Sequence, residues 1–273
     1  MAITTNDGLT AALAQGTPNV WYKAAATAKA AGTYFSYARV AGLPALKTTA
    51  DSNARITSTW EGFVGFTTAT GSNTQYLGYV SIYAVLAGVY MLADRLWQST
   101  WMLTSDESVS TVGSTYWARD CDNTTNGNCV SVWLEFETAS TVAVATRTAT
   151  ISYTNSDGTT GRTGTLLQAV PATPVAGYCV PFVLAGSDKG VRSVETFTFS
   201  SALSTGGGGA AICKLVAQRI LTVTPITLAN TGADRNFYDI GTKIYDGTAI
   251  VPIALCSGTA LGIIGGQIVR VQG

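Results

Sequence analysis

The chain has 273 residues, with 16 basic and 16 acidic side chains, a formal net charge of zero, and only 12% charged residues, against a globular norm of about 25%. That length can bury a substantial core without disulfides, and the charge balance excludes the broad positive field with which proteins collect nucleic-acid backbones. The surface is expected to be mostly neutral and polar, and a weakly charged chain rich in apolar residues has little repulsion to keep neighbours apart, so much of that surface is expected to be covered by other subunits.

In chain order, Asn6 is placed to cap a short helix with Leu9, Ala12 and Leu13 on one face, ended by Gly16 and Pro18. The stretch lacks the basic start and long apolar core of a signal peptide, which predicts no export by that route. From Val20 to Thr74 the chain is rich in Ala, Thr, Gly and Ser, and the apolar islands "VWYK", "TYFSYARV" and "WEGFVGF" have no sustained period. This region reads as an irregular arm, with alanine-driven helix propensity in "YKAAATAKAAG", Tyr22 to Gly32. Residues 1–75 are therefore expected to form an N-terminal arm, and 76–273 a β-sandwich domain.

Tyr76 to Ala93, "YLGYVSIYAVLAGVYMLA", has the length of a membrane span. Gly78, Gly88, scattered tyrosines, β-branched residues and the lack of basic flanks argue instead for two buried strands joined near Ala87 and Gly88, and for no membrane contact. Further strands are expected at Val130–Glu137, Val144–Thr154, Arg162–Leu167, Gly177–Leu184, Val191–Ser200, Ala211–Leu221, Ala249–Cys256 and Gly262–Val271. Turn clusters such as "AGSDKG" and "STGGGG" separate them, and Gly206–Gly209 lacks the Gly-Lys-Ser/Thr of a phosphate loop. Short strands without long helices between them predict an all-β fold, an antiparallel jelly-roll-like β-sandwich.

The stretch "TATISYTNSDGTTGRTGTL", Thr148 to Leu166, poses a choice between a metal loop and a hairpin. Its apolar residues Ala149, Ile151 and Tyr153 alternate with polar ones, and Asn155, Asp157 and Gly158 supply a reversal. A calcium loop needs oxygen ligands in a fixed rhythm, and Asp157 is the one acidic residue in the stretch, so the hairpin is favoured. The five cysteines show no CxxC spacing. Cys121 and Cys129 bracket the turn-rich "CDNTTNGNC" and can meet across a hairpin if oxidised, whereas Cys179, Cys213 and Cys256 look like small core residues. Asn123 begins a glycosylation-type triplet, which carries little meaning without an export signal.

The sequence contains no histidine, which removes Ser-His-Asp and Cys-His catalysis and histidine-bound zinc. Glu135 and Glu137 in "WLEFE" share a strand face and could serve glycoside cleavage. The plainer reading is a solvated face opposite Leu134 and Phe136. "STWML" near Trp101 and Ser187 to Gly190 hold nucleophile and base types without a motif, and so read as surface and turn. Trp97, Trp101, Trp117 and Trp133 cluster in sequence without indicating a binding surface, and Asp94 and Arg95 suggest an ion pair at a strand end or a subunit contact. No catalytic residue, cofactor site or metal site is assigned, and no enzymatic activity is expected.

Four stretches together carry a family resemblance: "MAITTNDGLTAALAQGTPNVWYKAA", "YLGYVSIYA…MLADRLWQS", "TISYTNSDGTTGRTGTL" and "IVPIALCSGTALGIIGGQIVRVQG". They resemble structural proteins of tailed bacteriophage virions, of the head-associated or minor capsid kind. The resemblance implies a β-rich subunit added to the phage head as a cement or decoration protein, with the major capsid protein as partner and an N-terminal arm reaching a neighbour. It further implies a homotrimer or homodimer, made in the host cytoplasm. A tail-associated module binding a host glycan through exposed aromatics is the alternative. No site residue is carried over, because no defined site matches.

Overall fold

In the computed structural model, the described residues are 5–25, 30–48, 54–66, 74–99, 119–140, 146–201, 212–237, 242–258 and 262–272. One helix, α1 (Asn6–Ala14), leads into β1 (Thr17–Lys23), β2 (Tyr34–Ser36), β3 (Gly42–Leu43), β4 (Ala54–Arg55), β5 (Val64–Gly65), β6 (Gln75–Ala84) and β7 (Gly88–Gln98). There follow β8 (Val130–Phe136), β9 (Ala149–Asn155), β10 (Arg162–Leu166), β11 (Tyr178–Val183) and β12 (Val191–Phe199). The chain closes with β13 (Cys213–Ile226), β14 (Thr231–Asn236), β15 (Lys243–Ile244), β16 (Ala249–Cys256) and β17 (Ile264–Gln272).

The fold is all-β, antiparallel and sandwich-like, as expected, with a closed barrel at its centre. In the larger, 11-stranded sheet the order is β12-β9-β10-β11-β2-β16-β7-β13-β8. β8 also pairs with β11, which shuts β11, β2, β16, β7, β13 and β8 into a ring. β12, β9 and β10 extend from that ring as a flap, and the second, six-stranded sheet has the order β14-β6-β17-β1-β3, with β15 on β6. Closure pairs strand edges that would otherwise expose unsatisfied backbone groups.

Three cores follow from strand alternation. Between flap and barrel lie Leu134, Phe136, Leu215, Ile151 and Phe197. Between barrel and six-stranded sheet lie Leu92, Ile250, Trp21, Val80 and Ile268. The lumen holds Met91, Ala93, Trp133, Cys179, Val216, Val251 and Ile253. Barrel strands are thus buried on both faces.

The hairpin at Thr148 to Leu166 is a hairpin: β9 pairs with β10, and Asn155 Oδ1 accepts from the backbone N–H groups of Asp157 and Thr159 at 3.1 and 2.8 Å. Gly158 takes φ +85°, a conformation that most side chains resist. A carboxylate remote in sequence braces this hairpin. Asp188 binds Arg162, the Tyr153 hydroxyl and Asn155, which ties the hairpin to the Ser187–Gly190 turn. The two strands read from Tyr76 to Ala93 are β6 and β7, and they lie in different sheets. No helix among the described residues is long and apolar enough to cross a membrane.

The N-terminal reading needs correction. Thr5, and not Asn6, caps α1, its side chain accepting from Gly8 N–H at 3.0 Å. Tyr22 and Lys23 lie in β1 rather than in a helix, because β1 pairs with β17 along Thr17–Lys23 and buries Trp21 and Lys23. The region read as an irregular arm supplies β1 and β3 to one sheet and β2, β4 and β5 to the other. The position between residues 75 and 76 therefore falls inside paired sheets. Strands of two or three residues are too short to show a period, which is why they read as irregular. Lys23 Nζ holds this region together, donating to the carbonyls of Val40, Pro44 and Gly62 at 3.2, 2.9 and 3.4 Å.

Phe136 is fully buried and packs on Tyr178 with ring centroids 5.8 Å apart. Phe136→Ala should lower unfolding stability by about 3–5 kcal/mol, read as a lower urea midpoint at unchanged slope.

Candidate functional site

Glu135 and Glu137 do share one face of β8, but that face is not solvated. Both are buried, at 2% and 5% exposure, because alternation that sends Leu134 and Phe136 to the flap sends the glutamates into the lumen. There they meet cations from other strands. Arg95 Nη2 contacts Glu135 Oε2 at 2.6 Å, and Lys214 Nζ lies 3.4 Å from Glu135 Oε1. Glu137 is in contact with both Lys214 and Arg39. The result is a chain of alternating sign, Arg39, Glu137, Lys214, Glu135, Arg95, running through the barrel. Gln98 and Gln218 flank it, accepting from Lys214 Nζ at 3.2 Å and from Arg95 Nε at 3.1 Å.

The register builds this cluster. Lys214 stands opposite Glu135 across β13 and β8, and Gln218 opposite Arg95 across β13 and β7. A bulge beside Ala217 and Gln218 lets Trp97 face the flap core while both Arg95 and Gln98 belong to the lumen cluster. Burial by itself would raise the Glu135 carboxyl, but Arg95 and Lys214 outweigh it and hold the group well below the usual carboxylate range. Burial lowers Lys214 to about 7. Lys47, close enough to feel Lys214 and Arg39, is lowered to about 6, first by burial and then by those charges.

Asp94 and Arg95 do not pair with each other. They lie within β7, and alternation sends them to opposite faces. Asp94 is gripped by Arg119, with contacts of 3.1 and 3.0 Å, and accepts from the Ala249 N–H at 3.0 Å. Arg219 approaches at 3.7 Å and lies over the Tyr245 ring at 5.0 Å. Arg119 begins the loop closed by the Cys121–Cys129 disulfide, in which Asp120 accepts from the backbone N–H groups of Thr124 and Gly127. Cys179, Cys213 and Cys256 are free and buried.

Of the tryptophans, Trp97 sits in the flap core and Trp133 in the lumen, edge-on to Tyr34. They share no surface. Trp101, Trp117 and Gly206–Gly209 lie outside the described residues. No group of three or more His, Cys, Asp or Glu among the described residues is placed to hold a metal ion.

A second feature is the outer face of the six-stranded sheet. Register sets Leu43, Tyr22, Gly265 and Tyr83 in one row across four strands, and Val20, Gln267, Ser81 and Asp234 in the next. Val20, Tyr22, Leu43, Tyr83 and Ile263 are 44% to 64% exposed. Gly265 leaves the floor low between the two tyrosines, and an open groove of about 440 Å³ runs there. Beside it the Tyr79 hydroxyl bonds to Asp234, Gln267 and Ser81.

No protein-family model matches the chain, and no curated protein matches it. Among solved structures, it is similar to a chain in the structure of infectious bursal disease virus Gx strain, with 9% identity, a TM-score of 0.23, and coverage of 94% of this chain and 81% of that one. The crystal structure of the infectious bursal disease virus VP2 subviral particle gives 8% identity and a TM-score of 0.22, over 94% of this chain and 80% of that one. Scores this low carry no argument about fold or function.

The buried lysines set the direction of the pH dependence. Burial lowers Lys23 to about 8, alongside Lys47 and Lys214, whereas an unfolded lysine keeps its proton to about 10.5. The unfolded chain therefore binds more protons from about pH 6 upward, and stability rises with pH. The lowered Glu135 acts in the same direction, stability being lost as pH falls through the carboxylate range. Above about pH 9 the Cys179 thiol and Tyr37 phenol, both raised by burial, oppose the rise, because unfolding then releases their protons. Urea midpoints should increase from pH 6 to pH 8.5; a flat or falling series contradicts the assignment. Asp94→Ala, which strands Arg119 and Arg219 in the interior, should cost about 3–5 kcal/mol in the same assay.

Proposed function

We infer that the chain is a structural protein of a phage virion, one that binds the assembled head lattice as a cement, decoration or minor capsid protein. Its partner on this reading is the major capsid protein, its own state a homodimer or homotrimer, and its work done without enzymatic activity. It is made in the host cytoplasm and resides in the virion head. The sequence resemblance to tailed-phage virion proteins supports this reading, and one structural observation carries it. The outer sheet face presents an exposed apolar row, with Asp234 in the row beside it. Contiguous apolar surface of this kind marks interaction sites, and a chain of zero net charge gains nothing from steering by field.

A protein that binds only the closed lattice stabilises it by mass action, and modest contacts are multiplied by repetition over a symmetric shell. The lattice contact is assigned to the outer face rather than to a detachable N-terminal arm, because the first 75 residues contribute strands to both sheets.

A host-glycan-binding module is the second reading, favoured by the Gln267 amide and Ser81 hydroxyl beside Tyr22 and Tyr83. Aromatic faces and amides together suit a sugar ring.

Tyr22→Asp combined with Tyr83→Asp leaves the cores untouched and should retain the fold by circular dichroism. Virions assembled with this variant should carry at least about tenfold fewer copies, a loss of about 1.4 kcal/mol or more per contact. Unchanged occupancy refutes the lattice reading, and glycan-array binding by the isolated wild-type chain that the double variant abolishes supports the second.

A further inference from the structure

We propose that the barrel lumen is also a site of covalent self-modification, in which the Lys214 amine attacks the side-chain carbonyl carbon of Gln98 and leaves an amide bond tying β13 to β7. The inference does not depend on what the protein binds.

The geometry assembles the three parts that such a reaction needs. Lys214 Nζ already donates to Gln98 Oε1 at 3.2 Å, which sets the nucleophile beside the carbon it must reach. Glu135 Oε1 lies 3.4 Å from the same nitrogen, while Arg95 occupies the other carboxylate oxygen, Oε2. One oxygen of Glu135 thus faces the reacting amine. Lys214, Gln98 and Glu135 are all at most 2% exposed, so their approach is fixed by the barrel and not by chance encounter. Holding reactants in this way substitutes for a very high concentration.

The choice of acyl group follows from charge. Among the described residues, Nζ is in contact with the side-chain acyl groups of Gln98, Glu135 and Glu137. The two glutamates are carboxylates, whose negative charge and resonance resist addition. Gln98 is the neutral one. The amine is also suited to attack, since burial brings it to about 7 and leaves much of it unprotonated near neutrality.

The step balances without an oxidant or a co-reactant. The nitrogen of neutral Lys214 adds to the Gln98 carbonyl carbon and becomes acidic as the bond forms. A carboxylate beside the amine, Glu137 or Glu135, accepts its proton and returns it to the former amide nitrogen, which departs as ammonia. One C–N bond forms and one breaks, giving a Lys214–Gln98 amide. Negative charge developing on Oε1 arises in the cluster that contains Arg95, whose Nη1 is buried without a hydrogen-bond partner among the described residues. Burial of all three side chains keeps out the water that would hydrolyse the new bond.

The decisive measurement is the intact mass of the reduced, full-length chain after incubation near neutral pH. It should fall below the sequence mass by one ammonia, and tandem mass spectrometry should find the peptides bearing Lys214 and Gln98 joined at those residues. Localisation matters because an imide at Asn126–Gly127 would lose the same mass. Gln98→Glu, which keeps the size and the contact with lysine but removes the neutral amide, should restore an unlinked chain. The proposal is overturned by a wild-type chain of full sequence mass with a free Lys214 amine, by loss of ammonia placed elsewhere, or by loss of water to a Lys214–Glu137 bond.

Discussion

The constraint on which the structure depends is the desolvation of charge inside a closed barrel. Arg39, Glu137, Lys214, Glu135 and Arg95 form one sequence of alternating sign, and the four innermost members have essentially no exposed side-chain surface. An ion taken from water costs several kcal/mol, and that cost is offset only where each charge faces its opposite at close range. Four segments, β7, β8, β13 and the turn that carries Arg39, must therefore arrive in register together. Displacing β13 by one residue would turn Lys214 toward the flap core and place Leu215 against the carboxylates. The chain of charges thus acts as a gauge of barrel register, stricter than apolar packing, which tolerates exchange among side chains of similar volume.

Around that barrel, the flap and the six-stranded sheet solve the same problem in different ways. The flap β12-β9-β10 covers one outer wall with aromatic and aliphatic side chains, and the Asp188 contacts with Arg162, Tyr153 and Asn155 pin its hairpin to the neighbouring turn. The six-stranded sheet covers the opposite wall with its inner face. Its outer face keeps an exposed row around Tyr22 and Tyr83. Stiffness in the interior and an uncharged apolar row on the exterior are the properties a building block uses. The enclosed Lys214 and Gln98 give that interior a reactive pair as well as a packed one.

Much of the fold was legible. Long apolar runs with turn clusters between them marked β6 to β13, β16 and β17 within a few residues, because a strand buried on one or both faces needs apolar side chains at a fixed spacing. The Asn155 hairpin and the Cys121–Cys129 pair were legible for local reasons, turn chemistry in one case and short separation in the other. β14 was missed because "TGADRN" has no apolar alternation; it is a sheet edge whose residues are half-buried or exposed in turn. β2 to β5 were missed because they are only two or three residues long, and β1 because its long partner, β17, lies at the far end of the chain.

Glu135 and Glu137 mark the limit of the sequence. Their spacing determined that both point to one side of β8, and the lack of histidine determined which catalytic chemistries are closed to the chain. Short strand patterns separated by turn clusters determined an all-β protein, and composition its low charge. Only the tertiary structure decided that the polar side of β8 faces other charges instead of water, since an alternating pattern is the same whether its polar face meets solvent or counter-ions. Likewise, alternation along β7 sends Asp94 and Arg95 to opposite faces, and the tertiary structure decided which distant charges each one meets there. Alternation is a local property of the chain, whereas burial depends on which distant strands come to lie across from it.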